Sequence, residues 1–302
     1  MDNPDSPDTW GHQPLWTASG LDQQQLPAAL YVVATPIGNA ADVTLRALWI
    51  LRHADCIAAE DTRLTGPLLK RYGIQTRPVA LHRHNERGAT EKILARLAKG
   101  ERVALVSDAG TPGISDPGAV LVRAALSAGQ RVIPIPGASS LTAALSAAGL
   151  HAASVCVLGF LPSRAQARRR LLLQAAARSE GFVVFEAPHR IADTARDLAE
   201  TLQPERRIVL ARELTKIHEA IVQTTAAELP QAVAGQAERG EFVVVVDGSP
   251  PAEPESAALD EASRRWLHAL AEELPAARAA AITAKVTGLA REVVYRSLVP
   301  AR

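Results

Sequence analysis

The chain is short of cysteine, aromatic side chains, long apolar runs and any large excess of one charge. Its two cysteines in 302 residues, Cys56 and Cys156, each sit inside an apolar run. Neither has a second cysteine at metal-ligand spacing, so a disulfide framework and a structural zinc site are excluded. Buried free thiols are expected, as in a reducing cytoplasm. No apolar run reaches the roughly 18–20 residues that span a bilayer. The acidic, polar N-terminus does not read as a secretory signal, and a cytoplasmic location is expected. Lys and Arg total 33 against 32 Asp and Glu, a formal net charge of +1. Proteins wrapped around bare nucleic acid carry a larger basic excess, so any RNA contact must come from a local patch. Aromatics make up 4% of the chain, which leaves Ala, Leu and Val to fill the core. There is no G-x-x-x-x-G-K-[ST] sequence, no G-x-G-x-x-G and no lysine beside the glycine turns, which argues against nucleotide-phosphate sites. No metal is expected: His82 and His84 stand two apart without cysteines or paired acids.

What is present is the length for two cores and a clear rhythm. Residues 1–27 are polar and proline-containing and read as a mostly disordered extension, with Trp10 and Trp16 as its only large apolar groups. From residue 28 to 150, strand patterns at 30–35, 55–59, 103–107 and 131–135 alternate with helical ones at 43–52, 65–72, 90–99, 119–128 and 139–148. This predicts an α/β domain with a parallel sheet covered on both faces. Residues 151–248 read as a second α/β domain with a mixed sheet. Its strands are expected at 154–160, 182–186, 207–213, 220–225 and 242–247, its helices at 166–178, 190–201 and 227–239. The short link between 213 and 220 predicts an antiparallel hairpin. Residues 249–257 are a Pro-rich linker, and 258–302 a small helical tail of helix-turn-helix type.

Three turns stand out because glycine at a strand end lets backbone approach a small polar ligand. They are Ala34-Thr-Pro-Ile-Gly-Asn39, Val106-Ser-Asp-Ala-Gly-Thr-Pro-Gly-Ile-Ser-Asp-Pro-Gly118 and Pro134-Ile-Pro-Gly-Ala-Ser-Ser140. Taken singly, each also fits a plain strand-to-helix turn with a polar cap, such as Asn39, Asp42, Asp116 or Ser139. All three fall at strand carboxyl ends, where ligands of parallel sheets bind. Asp108 can accept from an amine or a ribose hydroxyl, and Gly110 and Gly113 expose amides. A zwitterionic or nucleoside ligand fits these turns.

Polar clusters close other strands: Ala59-Glu-Asp-Thr-Arg63, Leu81-His-Arg-His-Asn-Glu86, Phe185-Glu-Ala-Pro-His-Arg190 and Arg212-Glu-Leu-Thr-Lys-Ile-His-Glu219. Lys216, Glu213, His189 and Arg190 either pair as surface ions or position and activate a hydroxyl. Arg164, Arg168, Arg169 and Arg170 form the densest basic group. They are either a solvated helix face or a phosphate contact.

In order along residues 30–300, these motifs resemble the RsmI family of 16S ribosomal RNA cytidine 2′-O-methyltransferases, within the tetrapyrrole-methylase-like superfamily. The segments that carry the likeness are Leu30-Tyr-Val-Val-Ala-Thr-Pro-Ile-Gly-Asn39, Ala59-Glu-Asp-Thr-Arg63, His84-Asn-Glu86, Ser107 to Gly118, Pro136-Gly-Ala-Ser139 and Ala211-Arg-Glu-Leu-Thr-Lys216. The resemblance implies S-adenosylmethionine between the two α/β domains, a homodimer, and methyl transfer to a ribose hydroxyl in the decoding region of the 30S subunit. It implies that Pro36 and Gly38 shape the cofactor floor. Asp108, Gly110, Thr111 and Ile114 line the methionine and ribose part, Pro136, Gly137, Ala138 and Ser139 close it, and Phe185 approaches the adenine. A ribose hydroxyl is a poor nucleophile, so Lys216, Glu213 or Glu60 is expected to orient or deprotonate it. Arg63, Arg164, Arg168, Arg169, Arg190 and Arg291 are the expected RNA contacts. The chain departs from the family in its long leader and in Ala187. The rival readings are a precorrin-type tetrapyrrole methylase and a non-catalytic ribosome-assembly factor that holds RNA.

Overall fold

The computed structural model describes residues 9–10, 13–82, 85–114, 118–151, 154–235, 240–248 and 259–298. Thr9–Trp10 (β1) pairs antiparallel with Gln13–Pro14 (β2), and one helical turn follows, Leu15–Ala18 (α1). The first domain then alternates Leu30–Val33 (β3), Leu45–His53 (α2), Cys56–Ala59 (β4), Thr62–Arg71 (α3), Pro78–Ala80 (β5), Glu86–Ala98 (α4), Val103–Val106 (β6), Ala119–Ser127 (α5), Val132–Ile135 (β7) and Ser140–Ala148 (α6). The short strand β5 was not expected from the sequence. It has only three residues and opens with proline, too little for a period-2 signal. The leader also departs from the expectation of disorder in its described part. The Trp16 ring lies 5.4 Å from Trp49 on α2, which lies 4.0 Å from the His53 ring. Burying aromatic surface holds this polar segment on the domain.

The five strands run parallel in the order β5-β4-β6-β3-β7. Alternate residues face opposite sides of a strand. Tyr31, Val33, Ile57, Ala59, Ala104 and Val106 pack with Ile50 and Leu51 of α2 and Leu69 of α3 on one face. Leu30, Cys56, Ala58, Val103 and Leu105 meet Ile93 and Leu97 of α4 and Leu121 and Ala125 of α5 on the other.

The second domain contains Val155–Phe160 (β8), Ala165–Ala176 (α7), Gly181–Glu186 (β9), Ile191–Thr201 (α8), Arg207–Arg212 (β10), Ala220–Thr225 (β11), Leu229–Val233 (α9) and Phe242–Val246 (β12). Its sheet runs β11-β10-β12-β9-β8, with β8 and β9 parallel and the other pairs antiparallel. The expected β10–β11 hairpin is present. The expected helix at 227–239 is the five-residue α9 in its described part, and residues 236–239 lie outside the described residues. One face of this sheet is covered by α7, α8 and α9 around Phe182, Val184, Leu210 and Val244. The other face, Val183, Phe185, Val209, Ala211, Val243 and Val245, is covered by Ala144 and Ala148 of α6. Thus α6, which ends the first rhythm, packs on the second sheet. Arg207 fastens its far end by donating to the Ala148 carbonyl at 2.7 Å and the Gly149 carbonyl at 2.6 Å.

The expected linker, 249–257, lies outside the described residues. The tail is three helices, Glu261–Glu273 (α10), Ala276–Thr287 (α11) and Arg291–Arg296 (α12), around Leu267, Ala279, Ala280 and Val294. Gly288, with φ +71°, ends α11 in the left-handed conformation that glycine adopts freely. Both cysteines are free, Cys56 buried and Cys156 half-buried. Among the described residues no helix is long and apolar enough to cross a membrane.

Candidate active site

The strand order brings the ligand-type turns together. They leave β6, β3 and β7, which are three adjacent strands, so their backbones emerge side by side. The first two turns are stitched by an antiparallel bridge: Thr35 N–H donates to the Gly110 carbonyl at 2.9 Å, and Gly110 N–H to the Thr35 carbonyl at 3.0 Å. The second and third are joined where the Thr111 hydroxyl donates to the Ala138 carbonyl at 3.2 Å. Gly110 has φ +77°, and a Cβ there would lie 3.2 Å from Ile37 Cγ2. Both conformation and close approach require glycine at this position.

A cavity of about 410 Å³ opens between this sheet end and the second domain. That is within the roughly 300–1,000 Å³ of small-molecule sites. From the first domain it is lined by Ile37, Glu60, Asp108, Gly110, Thr111 and Ser139; from the second by Phe160, Phe185, Glu186, Pro188, Glu241 and Val243, among others. A larger hollow of about 730 Å³ lies beside β5 and α4, lined by Asn85, Arg87, Lys92 and Val120 among others. None of the three turns contributes to it, so the smaller cavity is the candidate site.

Of the expected cofactor residues, Asp108, Gly110, Thr111, Ile114, Ser139 and Phe185 line the cavity. Pro36, Gly38, Pro136, Gly137 and Ala138 belong to the same turns but are not among the lining residues. A Cβ on Gly38 would lie 2.5 Å from Lys216 Cγ and 2.9 Å from Thr215 Oγ1, and one on Gly137 would lie 3.0 Å from Ala34 Cβ. These glycines therefore allow turns and domains to approach closely. Asn39 N–H donates to Thr215 Oγ1 at 3.1 Å, a second tie between the domains. The Asn39 side chain also caps its own turn through Ala41 N–H.

β4 neighbours β6, so the cluster after β4 meets the long glycine turn. Asp61 N–H donates to Asp108 Oδ1 at 2.9 Å. Burial pushes the Asp108 carboxyl up, an effect larger than the Asp61 amide bond that opposes it. The Arg63 guanidinium holds Asp61 down to about 2. Glu60 and Asp108 thus face one cavity from neighbouring strands.

The three expected catalytic groups separate in space. Only Glu60 lines the cavity. Lys216 Nζ donates to Glu213 Oε1 at 2.8 Å and to Glu241 Oε2 at 3.3 Å. Burial lowers the Lys216 pKa, but the Glu213 and Glu241 carboxylates outweigh it and leave it above its ordinary value. Burial raises Glu213, and Lys216 with the Glu241 amide more than reverses this. At neutral pH the pair is ionised, so Lys216 has no free lone pair to accept a proton. Glu213 and Thr215 have φ of +49° and +67°. Such strain in non-glycine residues persists only where surrounding contacts hold it.

The arginines also divide. Arg168 is 5% exposed and pairs with buried Asp197 at 2.5 Å, so it is a core ion pair and not an RNA contact. Arg190 donates to the Leu161 carbonyl at 2.6 Å and lies 3.2 Å from Glu186, bracing the cavity wall. Arg169 is half-exposed and pairs with Asp197 and Glu200. Arg63, Arg164 and Arg291 are exposed. His84 and Asp116 lie outside the described residues. Among the described residues no cluster of three or more His, Cys, Asp or Glu is arranged to hold a metal.

Sequence reading missed Phe160, Glu186, Pro188, Glu241 and Val243 as lining. Glu186 carried a usable signal, an acid at the end of a fully apolar strand. Its carboxylate, 1% exposed, accepts from Ala187 N–H at 2.9 Å and from the Thr194 hydroxyl at 2.7 Å.

The family model described as Tetrapyrrole (Corrin/Porphyrin) Methylases matches residues 29–230, and that described as RsmI C-terminal HTH domain matches residues 257–299. The chain is 46% identical over 268 residues to "Ribosomal RNA small subunit methyltransferase I" of Neisseria meningitidis serogroup B, covering 88% of this chain and 91% of that one. It is 45% identical over 269 residues to the protein of the same name in Escherichia coli O157:H7, covering 88% and 93%. Among solved structures it resembles uroporphyrin-III-C-methyltransferase from Thermus thermophilus, with TM-score 0.51 and 23% identity over 72% of this chain and 93% of that one. It also resembles cobalt precorrin-4 methyltransferase, with TM-score 0.57 and 17% identity over 73% and 95%. At those identities the structural likeness speaks for the fold alone.

Proposed function

The chain belongs to the tetrapyrrole (corrin/porphyrin) methylase family, and we propose that it methylates small-subunit ribosomal RNA with S-adenosylmethionine, at the ribose 2′-hydroxyl of a decoding-region cytidine. The RNA substrate rests on the relatives' shared name over nearly their whole length and on the matching C-terminal domain. The observation that carries the site is the convergence of three ligand-type turns from adjacent strands on a cavity holding Glu60 and Asp108.

The cavity suits the cofactor: the Glu60 and Asp108 carboxylates for an amine and hydroxyls, and apolar Ile37, Phe185 and Val243 for its less polar parts. When bound, S-adenosylmethionine supplies an electrophilic methyl on a positively charged sulfur that leaves as a neutral thioether. The chain's own residues supply orientation and a proton acceptor. Asp108 Oδ1 is positioned by the Asp61 amide, and its carboxylate would hold the cofactor's polar end. Glu60 would accept the proton of the ribose hydroxyl as general base. Lys216 and Glu213 hold the loop 212–219 against the first turn and take no proton. Exposed Arg63, Arg164 and Arg291 contact phosphates, giving a salt-sensitive affinity. The protein acts in the cytoplasm on the 30S subunit, as a homodimer.

The test is mapping of ribose methylation on small-subunit RNA after incubation with wild type and with Glu60→Gln. Wild type should methylate one cytidine ribose. E60Q should lower kcat by at least about 100-fold, the lower end for loss of a general base, with S-adenosylmethionine affinity within a few-fold. Methylation of uroporphyrinogen in place of RNA would overturn the substrate, and full activity of E60Q would overturn the base.

A further inference from the structure

The chain has four phenylalanines. Phe182, Phe185 and Phe242 are 1%, 7% and 1% exposed, whereas Phe160 at the end of β8 is 56% exposed. It nonetheless lines the cavity, its ring 5.8 Å from that of Phe185 and tilted by 54°. A single exposed apolar side chain usually needs no explanation. This one is aimed by its backbone.

β8 pairs with β9 in register at Val155–Gly181, Cys156–Phe182 and Val157–Val183; Leu158 is then skipped, and Gly159 and Phe160 stand opposite Val184 and Phe185. Side chains alternate along a strand, so one extra residue reverses which face each later side chain takes. In an unbroken strand Phe160 would share the face of Cys156 and Leu158, which pack against the helix-covered core. The bulge moves it to the face of Val183 and Phe185, which looks towards the first domain. Gly159 makes this possible with φ +70°, a conformation that glycine alone takes without strain. Re-aiming a side chain is what bulges beside sites do.

We infer that Phe160 is the stacking platform for the nucleobase of the target nucleotide, an inference that rests on the RNA-methylation reading above. Glu60 and Asp108 line the cavity from the first domain and Phe160 from the second. A nucleotide whose ribose hydroxyl reaches the carboxylates brings its base into the same cleft that Phe160 lines. A base drawn out of the RNA stack to enter a cleft regains stacking on an aromatic face. The exposed ring suits the incoming RNA. The enclosed Phe185 ring, 7% exposed, offers little face to a macromolecule and belongs to the floor.

The experiment uses full-length wild type, Phe160→Ala, Phe160→Leu and Phe160→Trp on small ribosomal subunits that lack the methyl group, with S-adenosylmethionine binding measured by calorimetry. Loss of one base–aromatic stack should raise the KM for subunits about 5- to 150-fold in F160A. A contact made equally in ground and transition states leaves kcat within about two- to threefold. F160W should return KM to within a few-fold of wild type. F160L, apolar but without a π face, should stay near F160A. Because Phe160 also borders the cofactor cavity, cofactor affinity should change in each variant by much less than the KM for subunits. Unchanged KM in F160A, full recovery in F160L, or a fall in cofactor affinity matching the rise in KM would each overturn the subsite. Wild type that binds S-adenosylmethionine but leaves subunits unmethylated would overturn the functional reading and the subsite with it; an effect confined to the variants bears on Phe160 alone.

Discussion

Removing Glu186 is the sharpest test of how the second domain's wall is built. Its carboxylate is 1% exposed and meets Ala187 N–H, the Thr194 hydroxyl and the Arg190 guanidinium at 2.9, 2.7 and 3.2 Å. Glu186→Ala leaves two donors without an acceptor and a guanidinium without its counter-charge. Breaking one side of a buried ion pair costs about 3–5 kcal/mol. The Arg190 side chain is 23% exposed and keeps its bond to the Leu161 carbonyl, so the lower end, about 3 kcal/mol, applies. For a protein of this size each kcal/mol moves Tm by about 2–4 °C, which gives a fall of about 6–12 °C. Differential scanning calorimetry measures it. Glu186→Gln preserves the shape, accepts from Ala187 N–H through its amide oxygen and donates from its amide NH2 to the Thr194 hydroxyl oxygen, and should lose less. Adding Arg190→Met to E186A removes the unpaired charge and should recover at least about 1 kcal/mol. Because Glu186, Ala187 and Pro188 line the cavity, affinity for S-adenosylmethionine should fall together with Tm in E186A. A Tm within about 2 °C of wild type, or no recovery in the double variant, would refute the buried brace.

Gly38→Ala places a methyl 2.5 Å from Lys216 Cγ. It should destabilise by about 1–3 kcal/mol, the range for overpacking, and weaken cofactor binding by displacing the first turn, as calorimetry with and without ligand would show. Asp55 is held at about 2, chiefly by its hydrogen bond to Arg102. Since its folded pKa lies below the ordinary value near 3.9, its stabilisation is complete above that value and disappears as pH falls through about 2. Both side chains are about one-third exposed, so Asp55→Asn should cost no more than about 1 kcal/mol at pH 7. The difference should vanish near pH 2, as urea unfolding across pH would reveal.

Much of the fold was legible because its signals are local. Apolar runs of four to six residues ending in glycine turns marked β3, β6 and β7, and Gly288 marked the end of α11. The candidate site was legible to the extent that it is built from those turns: Asp108, Gly110, Thr111 and Ser139 line the cavity as expected from their place at strand ends. Elsewhere the local pattern misled. Three arginines in a row at 168–170 look alike in sequence, yet Arg168 is turned inward onto Asp197, twenty-nine residues away, while Arg170 is exposed. Lys216 and Glu213 look like candidate bases because they are charged groups after a strand. Lys216 is instead bonded to Glu213 and to Glu241, the residue before β12, and neither Lys216 nor Glu213 lines the cavity.

The sequence by itself determined the two α/β rhythms, the three ligand-type turns and the exclusion of phosphate-binding loops, because each depends on residues within a few positions of one another. Only the tertiary structure decided that those turns leave adjacent strands, that Glu60 and Asp108 share a cavity, and that α6 spans to the second sheet. It also decided that a one-residue bulge faces Phe160 into the cleft. Strand order, register and ion pairing are set by contacts between distant segments. Burial and geometry select among partners there, and no periodicity along the chain encodes that choice.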